Sequence, residues 1–441
     1  MNKSLIGDMA REYALPGLKR AAGLAVRMVP VPQPTLLVGA GSSVRLGQAI
    51  GAFAHEKILL VTDAVVLKLG LAKGLLDALK ASRTDFVVFD EITPDAPIAV
   101  VEQGIAVYQR ECCDAIVAFG GGSVMDAAKA IGQSVANQRH PRDLVGYFRG
   151  WKGPPPTYAV PTTAGTGSEV TVAAVISDPE NHKKLVIADS RLVPRLAALD
   201  PELMIGLPPP ITAATGMDAL THAVEAYIGN WGTEFTDSMA LAAVGMIYQN
   251  LPLAYADGSN LVAREQMALA SAYAGMAFTR ANVGNVHAIA HQLGGRYHTP
   301  HGLANAILLP PVLRFSSDAI EPKLAVLATR AGLARKGDSE ARLAQRFLDS
   351  VEAMNRLLGI PKQLESLREQ DIPELASAAC WEADTNYPVP RAMSVSDCEA
   401  ILREVLPVAT TPKRARSAKP GAASALAPPA VVAKRRRRAE G

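Results

Sequence analysis

Ala115-Ile116-Val117-Ala118-Phe119-Gly120-Gly121-Gly122-Ser123-Val124-Met125-Asp126 is the stretch on which the fold turns. Its five leading apolar residues read as a strand, its glycines as a tight turn, and the pattern from Val124 to about Val135 as a helix. Strand, glycine-rich turn and helix start together let backbone N–H groups and the helix dipole meet a phosphate. The turn is not the G-x-G-x-x-G fingerprint, and a simple chain reversal accounts for it equally well.

The same alternation extends outward. Strands are expected at Thr35–Val38, Lys57–Thr62, Asp85–Phe89, Ala115–Phe119 and Thr157–Val160, separated by helical stretches such as Ala64–Leu79 and Pro97–Gln109. Near-continuous apolar strands alternating with helices indicate a parallel sheet covered on both faces. Thr171–Ser177 and Leu185–Ala188 read as an added hairpin. Past Pro208-Pro209-Pro210 strand patterns nearly vanish, and Ala- and Leu-rich helical stretches run from Ile211 to about Leu406. The expected organisation is an N-terminal extension (1–30), an α/β domain (31–205), an all-α domain (206–408) and a disordered basic tail (409–441).

Composition narrows the function classes. The chain of 441 residues is 49% apolar and 20% charged, the balance of a soluble globular protein. No apolar run reaches the roughly 18–20 residues that span a bilayer, so no membrane partner is expected. Charges scattered from Lys3 to Arg27 leave no secretory core, and Asp8 and Glu12 oppose a transit peptide; a short helix packed on the body is expected there. Four cysteines, with Cys112 and Cys113 adjacent and Cys380 and Cys398 at no metal-type spacing, fit inert thiols in a reducing cytosol. The net charge of +3 hides an asymmetry: residues 411–441 carry nine basic residues and one acid, leaving the body at −5. Nucleic acid would therefore enter only through the tail. Its Lys434–Arg438 run has the make-up of a nuclear signal or a phosphate-binding patch, but a solvated terminus without a specific partner is the expected state.

Histidine is the telling residue. Four of the eight histidines fall between His287 and His301, and His222 lies upstream. Asp218 and His222 stand four apart in a helical run that Thr212 or Thr215 would cap, so both project from one face. His287 and His291 repeat that spacing on a second helix. His301, between Pro300 and Gly302, sits in the make-up of a turn that brings a side chain back toward that helix. One such pair alone is more often a solvated face. One Asp and three His from three segments are a stronger signal, and an O/N₃ donor set suits Fe²⁺, Zn²⁺ or Mn²⁺ without choosing among them.

Two further elements suit a nucleotide. Asp63 ends the second strand, where an acid bonds a ribose 2′-hydroxyl and repels a 2′-phosphate, favouring NAD over NADP; capping the next helix is the competing role, and the two are compatible. Seven of the eleven residues from Pro161 to Thr171 are Thr, Ser or Gly, concentrating hydroxyls and bare backbone where the sheet ends. A structural turn cluster would look the same.

Together these motifs resemble the iron-containing (group III) alcohol dehydrogenase family. The resemblance covers roughly Val31 to Leu406 and rests on Gly120–Asp126, Pro161–Thr171, Thr215–His222, and Val286-His287 through Pro300-His301-Gly302. It implies a dinucleotide-binding α/β domain followed by a helical domain, with metal in the cleft between them. It also implies reversible hydride transfer between NAD and a primary alcohol or diol, giving an aldehyde or ketone, in a homodimer or larger homo-oligomer. By the same resemblance the metal, Fe²⁺ with Zn²⁺ as the alternative, is held by Asp218, His222, His287 and His301, and His291 relays protons. NAD contacts fall to Asp63, Gly121, Gly122, Ser123, Thr162, Thr163, Thr171 and Lys184, the last at the nicotinamide ribose. Arg280 departs from the small or amide residue the family often carries, which bears on the substrate side. His298 receives no role.

Two rival readings fare worse. A sugar-phosphate lyase of the dehydroquinate synthase type would need several basic residues in the cleft, where the sequence near the histidines offers Arg280 and Arg296. A non-enzymatic role for the tail leaves the metal set without a purpose. The expected protein is a cytoplasmic oxidoreductase.

Overall fold

The computed structural model describes residues 29–181 and 183–407. The helix expected near the N-terminus and the basic tail lie outside the described residues.

Among the described residues nine strands come first: β1 (Thr35–Val38), β2 (Lys57–Val61), β3 (Asp85–Phe89), β4 (Ala115–Gly120), β5 (Gly146–Tyr147), β6 (Thr157–Pro161), β7 (Ala173–Asp178), β8 (Lys183–Ala188) and β9 (Leu196–Leu199). Between them run α1 (Ser42–Gly51), α2 (Ala64–Lys68), α3 (Lys73–Ala81), α4 (Ile98–Arg110) and α5 (Gly122–Asn137). Eight helices follow: α6 (Pro209–Ile228), α7 (Glu234–Ala256), α8 (Leu261–Ala281), α9 (Asn285–Tyr297), α10 (His301–Arg330), α11 (Glu340–Leu357), α12 (Ile372–Asn386) and α13 (Val395–Glu404).

Six strands form a parallel sheet in the order β1-β9-β6-β4-β2-β3. Every residue of β4 is buried, because helices cover both faces. Alternate residues feed opposite layers: Ile116 and Ala118 join Leu59 and Val61 on one face, while Ala115, Val117 and Phe119 join Ile58 and Leu60 on the other. Since all six strands run the same way, the residues following β2, β4 and β6 emerge at one edge of the sheet. Asp63, Gly121 and Thr162 stand there, where open α/β sheets bind ligands. The expected hairpin is the antiparallel pair β7–β8, with β5 added alongside β8.

Two local expectations need correction, and one strand adds to those expected. Ala64–Leu79 is two helices, because Gly70 takes a left-handed φ of 70° between α2 and α3. Leu196-Ala-Ala-Leu199 is a strand between β1 and β6, although Leu and Ala favour helix; the sheet gap overrides that preference. Neither Thr212 nor Thr215 caps α6. Pro208 is its N-cap and Pro209 opens it, with φ already preset, and the Thr215 hydroxyl donates instead to the Ile211 carbonyl at 2.8 Å.

Past β9 the described chain contains only helices. Helix α6 is buried on most of its circumference, as a helix surrounded by others must be, and contributes Leu220 and Val224 to a core shared with Ile247, Leu251, Ile289 and Leu308. Among the described residues no helix is long and apolar enough to cross a membrane.

Candidate active site

Helix α6 presents Asp218, His222 and Glu225 along one buried face, at spacings of four and three residues. Helix α9 faces it with His287 and His291. His301 is not in a turn: Pro300 ends the loop and His301 opens α10. Gly302 permits that approach, because a Cβ there would lie 2.4 Å from the Ala214 carbonyl oxygen of α6.

These helices bring Asp218, His222, His287 and His301 together, with one potential ligand atom from each all within 4.8 Å of one another. Asp218 Oδ1 is 3.6 Å from His301 Nε2, and Asp218 Oδ2 is 3.9 Å from His222 Nδ1. The His222 and His287 rings stack at 4.6 Å, and Phe278 closes the other face of His222 at 4.2 Å. Burial lowers the pKa of His222, His287 and His301, the first and last against the pull of Asp218, so near neutral pH each ring is neutral and offers the lone pair of one nitrogen.

The cage fits a divalent cation. Asn305, one turn along α10, places its amide nitrogen 2.7 Å from Asp218 Oδ1 and 3.1 Å from both His287 Nε2 and His301 Nε2. An amide has two hydrogens, so it leaves one of three acceptors unmatched. His222 Nδ1 is buried without a partner as well. An anion and three neutral imidazoles thus hold more acceptor capacity than the protein supplies donors for, which is the condition a cation satisfies.

Glu225, which the sequence reading passed over, orients this cage. Its carboxylate accepts hydrogen bonds from the backbone N–H of Gly284 (2.8 Å) and Val286 (2.7 Å) at the start of α9, and from His287 Nδ1 at 2.6 Å. Burial pushes its pKa up to about 7 while those donors pull it down. Holding the proton of His287 on Nδ1 leaves Nε2 facing Asp218 and His301. The spacing from His222 was the signal available: Glu225 continues the same helical face.

On the nucleotide side the expected residues divide. Gly121 is the N-cap of α5 and Gly122 its first residue, leaving backbone N–H groups of the helix start without intrahelical acceptors. Ser123 accepts a hydrogen bond from the Asp95 N–H at 3.0 Å. Lys184 is paired with Asp95, Nζ to Oδ1 2.5 Å. Thr162 and Thr163 follow β6 at the same edge. Asp63 caps α2, its Oδ1 taking the N–H groups of Val65 and Val66 at 2.9 Å each. Thr171 is turned inward: its hydroxyl lies 2.9 Å from Lys129 Nζ. That buried lysine also donates to the carbonyls of Ser168 (2.6 Å), Thr171 (3.0 Å) and Ala173 (2.9 Å), tying the Thr/Gly-rich loop to α5. A backbone hydrogen bond links Gly165 of that loop to His222, so loop and cage touch directly. A Cβ at Gly165 would stand 2.8 Å from the Thr215 carbonyl oxygen, so only glycine permits that approach.

His291 lies beside the cage and outside it, its ring parallel to that of His301 at 5.4 Å. His298 closes α9 in the left-handed conformation and is exposed, a structural role. Arg280 is taken up by the Val31 carbonyl (2.8 Å) and the Phe235 ring (4.9 Å).

Comparison with known proteins gives a consistent result. Residues 33–201 match the family described as iron-containing alcohol dehydrogenase, and residues 212–406 its C-terminal counterpart, the Fe-containing alcohol dehydrogenase family, C-terminal. The 1,3-propanediol dehydrogenase of Klebsiella pneumoniae is 41% identical over 81% of this chain and 94% of its own length. The NAD-dependent methanol dehydrogenase of Bacillus methanolicus is 37% identical over 85% and 98%. A crystal structure of a 1,3-propanediol oxidoreductase superposes with a TM-score of 0.83 at 40% identity, covering 86% of this chain and all of the other.

Proposed function

The chain belongs to the iron-containing alcohol dehydrogenase family, and on that premise we propose that it is an NAD-linked oxidoreductase that interconverts a primary alcohol or diol with the aldehyde or ketone. The observation that carries this reading is the largely buried Asp–His₃ cage lying against a glycine- and threonine-rich loop at the carboxyl edge of a parallel sheet. Asp218, His222, His287 and His301 would hold the metal, Fe²⁺ in the family's usual form with Zn²⁺ as the alternative. Residues 31–205 would carry NAD, with phosphates on the N–H groups of Gly121–Ser123, the ribose near Asp63, and Thr162, Thr163 and Lys184 toward the nicotinamide. Thr171 would act from inside, by shaping the loop.

When bound, NAD would supply the hydride acceptor and a divalent ion would supply Lewis acidity toward the hydroxyl oxygen. The protein's own groups do the rest. The cage fixes where that oxygen must sit, Phe278 shields His222 from water, and His291 accepts the hydroxyl proton at the partly open side of the cage. Four cysteines with no disulfide among them fit a cytoplasmic protein, and a homo-oligomer is our working assembly.

The test is NAD reduction with a panel of primary alcohols and diols, on protein stripped of metal and reloaded with Fe²⁺ or Zn²⁺. Turnover should depend on reloading. Oxidation that proceeds equally fast in the stripped protein would reject the reading.

A further inference from the structure

His291 makes hydrogen bonds that the cage does not need. Its Nδ1 lies 2.6 Å from Oε1 of Glu382, a residue of α12 that is 91 positions away. The same oxygen accepts the Tyr387 hydroxyl at 2.6 Å, and Oε2 accepts the Gln292 side-chain amide at 2.6 Å. Burial works to raise the pKa of this carboxyl group, but His291 and the hydrogen bonds from His291, Tyr387 and Gln292 lower it below the ordinary value. The group is therefore an anion that can only accept. An acceptor at that distance requires the proton of neutral His291 to be on Nδ1, which leaves Nε2 with the ring's lone pair. The His291 and Glu382 side chains keep 15% and 17% exposure, so the pair is fixed without being sealed from solvent.

We propose that Glu382 is the positioning residue of a Glu–His dyad: it holds His291 in the tautomer and orientation in which Nε2 can accept the substrate's proton. The inference rests on the reading of His291 given above. When the substrate O–H bond breaks, its electron pair stays on oxygen, the proton binds Nε2, and the Nδ1–H remains on the ring against the carboxylate. The resulting imidazolium lies beside a fixed negative charge. That arrangement orients and stabilises an imidazole base in other proton-transfer sites without the carboxylate itself taking the proton. Gln292 and Tyr387 keep the carboxylate from rotating away.

The experiment compares Glu382→Gln, Glu382→Asp, His291→Ala and the double variant His291→Ala/Glu382→Gln as metal-loaded enzymes. Glutamine presents an N–H to Nδ1 and selects the tautomer with the proton on Nε2. Its kcat should fall by about 10²–10⁴-fold, the range that positioned acid–base groups supply. Metal content and the NADH dissociation constant should stay at the wild-type values. Aspartate keeps the charge and should recover at least a tenth of the lost rate. In the His291→Ala background, Glu382→Gln should remove nothing further, because a residue acting through His291 has nothing left to act on. An equal further loss there, or a loss that tracks falling metal content, overturns the dyad in favour of a packing role. Should Glu382→Gln fail to fold, Glu382→Asp against the His291→Ala pair decides the same question. If His291→Ala itself keeps full kcat, the reading of His291 fails; if His291→Ala is crippled and Glu382→Gln is not, only the dyad does.

Discussion

The turn at residues 120–123 and the cage around Asp218 are assembled in opposite ways. The turn works through backbone: Gly121 and Gly122 offer N–H groups at the head of α5, and the adjoining loop is shaped by one buried lysine, Lys129. The cage works through side chains: one carboxylate and three imidazoles from three helices, each held by packing or by a partner such as Glu225. A backbone site tolerates side-chain exchange wherever the chain path survives. A side-chain site fails with any one member, because the remaining groups were buried for a charge no longer bound in place.

That contrast orders the consequences of substitution. His287→Ala should have the largest effect, near-complete loss of kcat with loss of bound metal, checked by elemental analysis beside turnover, while NADH binding measured by fluorescence persists. Glu225→Gln should come next. It leaves the donor set intact but puts an N–H donor within reach of His287 Nδ1, and metal affinity should drop by roughly 10–100-fold in a chelator competition. A Glu225→Gln enzyme with unchanged affinity would show that helix packing alone orients the cage.

Lys129→Met probes the other region. It removes three N–H donors shared among three backbone carbonyls and two hydroxyls, and each buried acceptor left unmatched costs about 1–3 kcal/mol. Thermal stability should fall and the KM for NAD should rise severalfold, with the metal content of the folded fraction unchanged. Parallel loss of metal would mean that loop and cage are one unit joined through Gly165 and His222. Asp63→Asn should have the smallest effect. The amide oxygen still caps α2, so the melting temperature should hold, while removing the charge should weaken the preference for NAD over NADP by roughly two- to fivefold, the scale of about 0.4–1 kcal/mol for an exposed charge.

The two regions also differ in how far they could be read from sequence. The turn is contiguous, so strand, glycines and helix start stand side by side; elsewhere in the α/β pattern the helix break at Gly70 and the strand Leu196–Leu199 went unread. In the cage, helical spacing put Asp218 with His222 and His287 with His291, but spacing says only which face a residue occupies and not which faces meet. Asn305 and Glu225 extend faces already marked by His301 and His222, and were legible in principle. Glu382 was not: it reaches His291 from 91 residues away, with nothing in the sequence near it to mark it. Lys129 carried a weaker sign, a charge within the otherwise apolar and buried stretch of α5.

The central claim is that Asp218, His222, His287 and His301 form one metal site on which turnover depends. Its most direct test is a titration of Fe²⁺ into metal-stripped wild-type protein and the His287→Ala variant, following bound metal and alcohol-dependent NAD reduction together. One ion per wild-type chain, with activity rising in step and neither recovered in the variant, is the expected result. Full metal content and full turnover in His287→Ala would contradict the account.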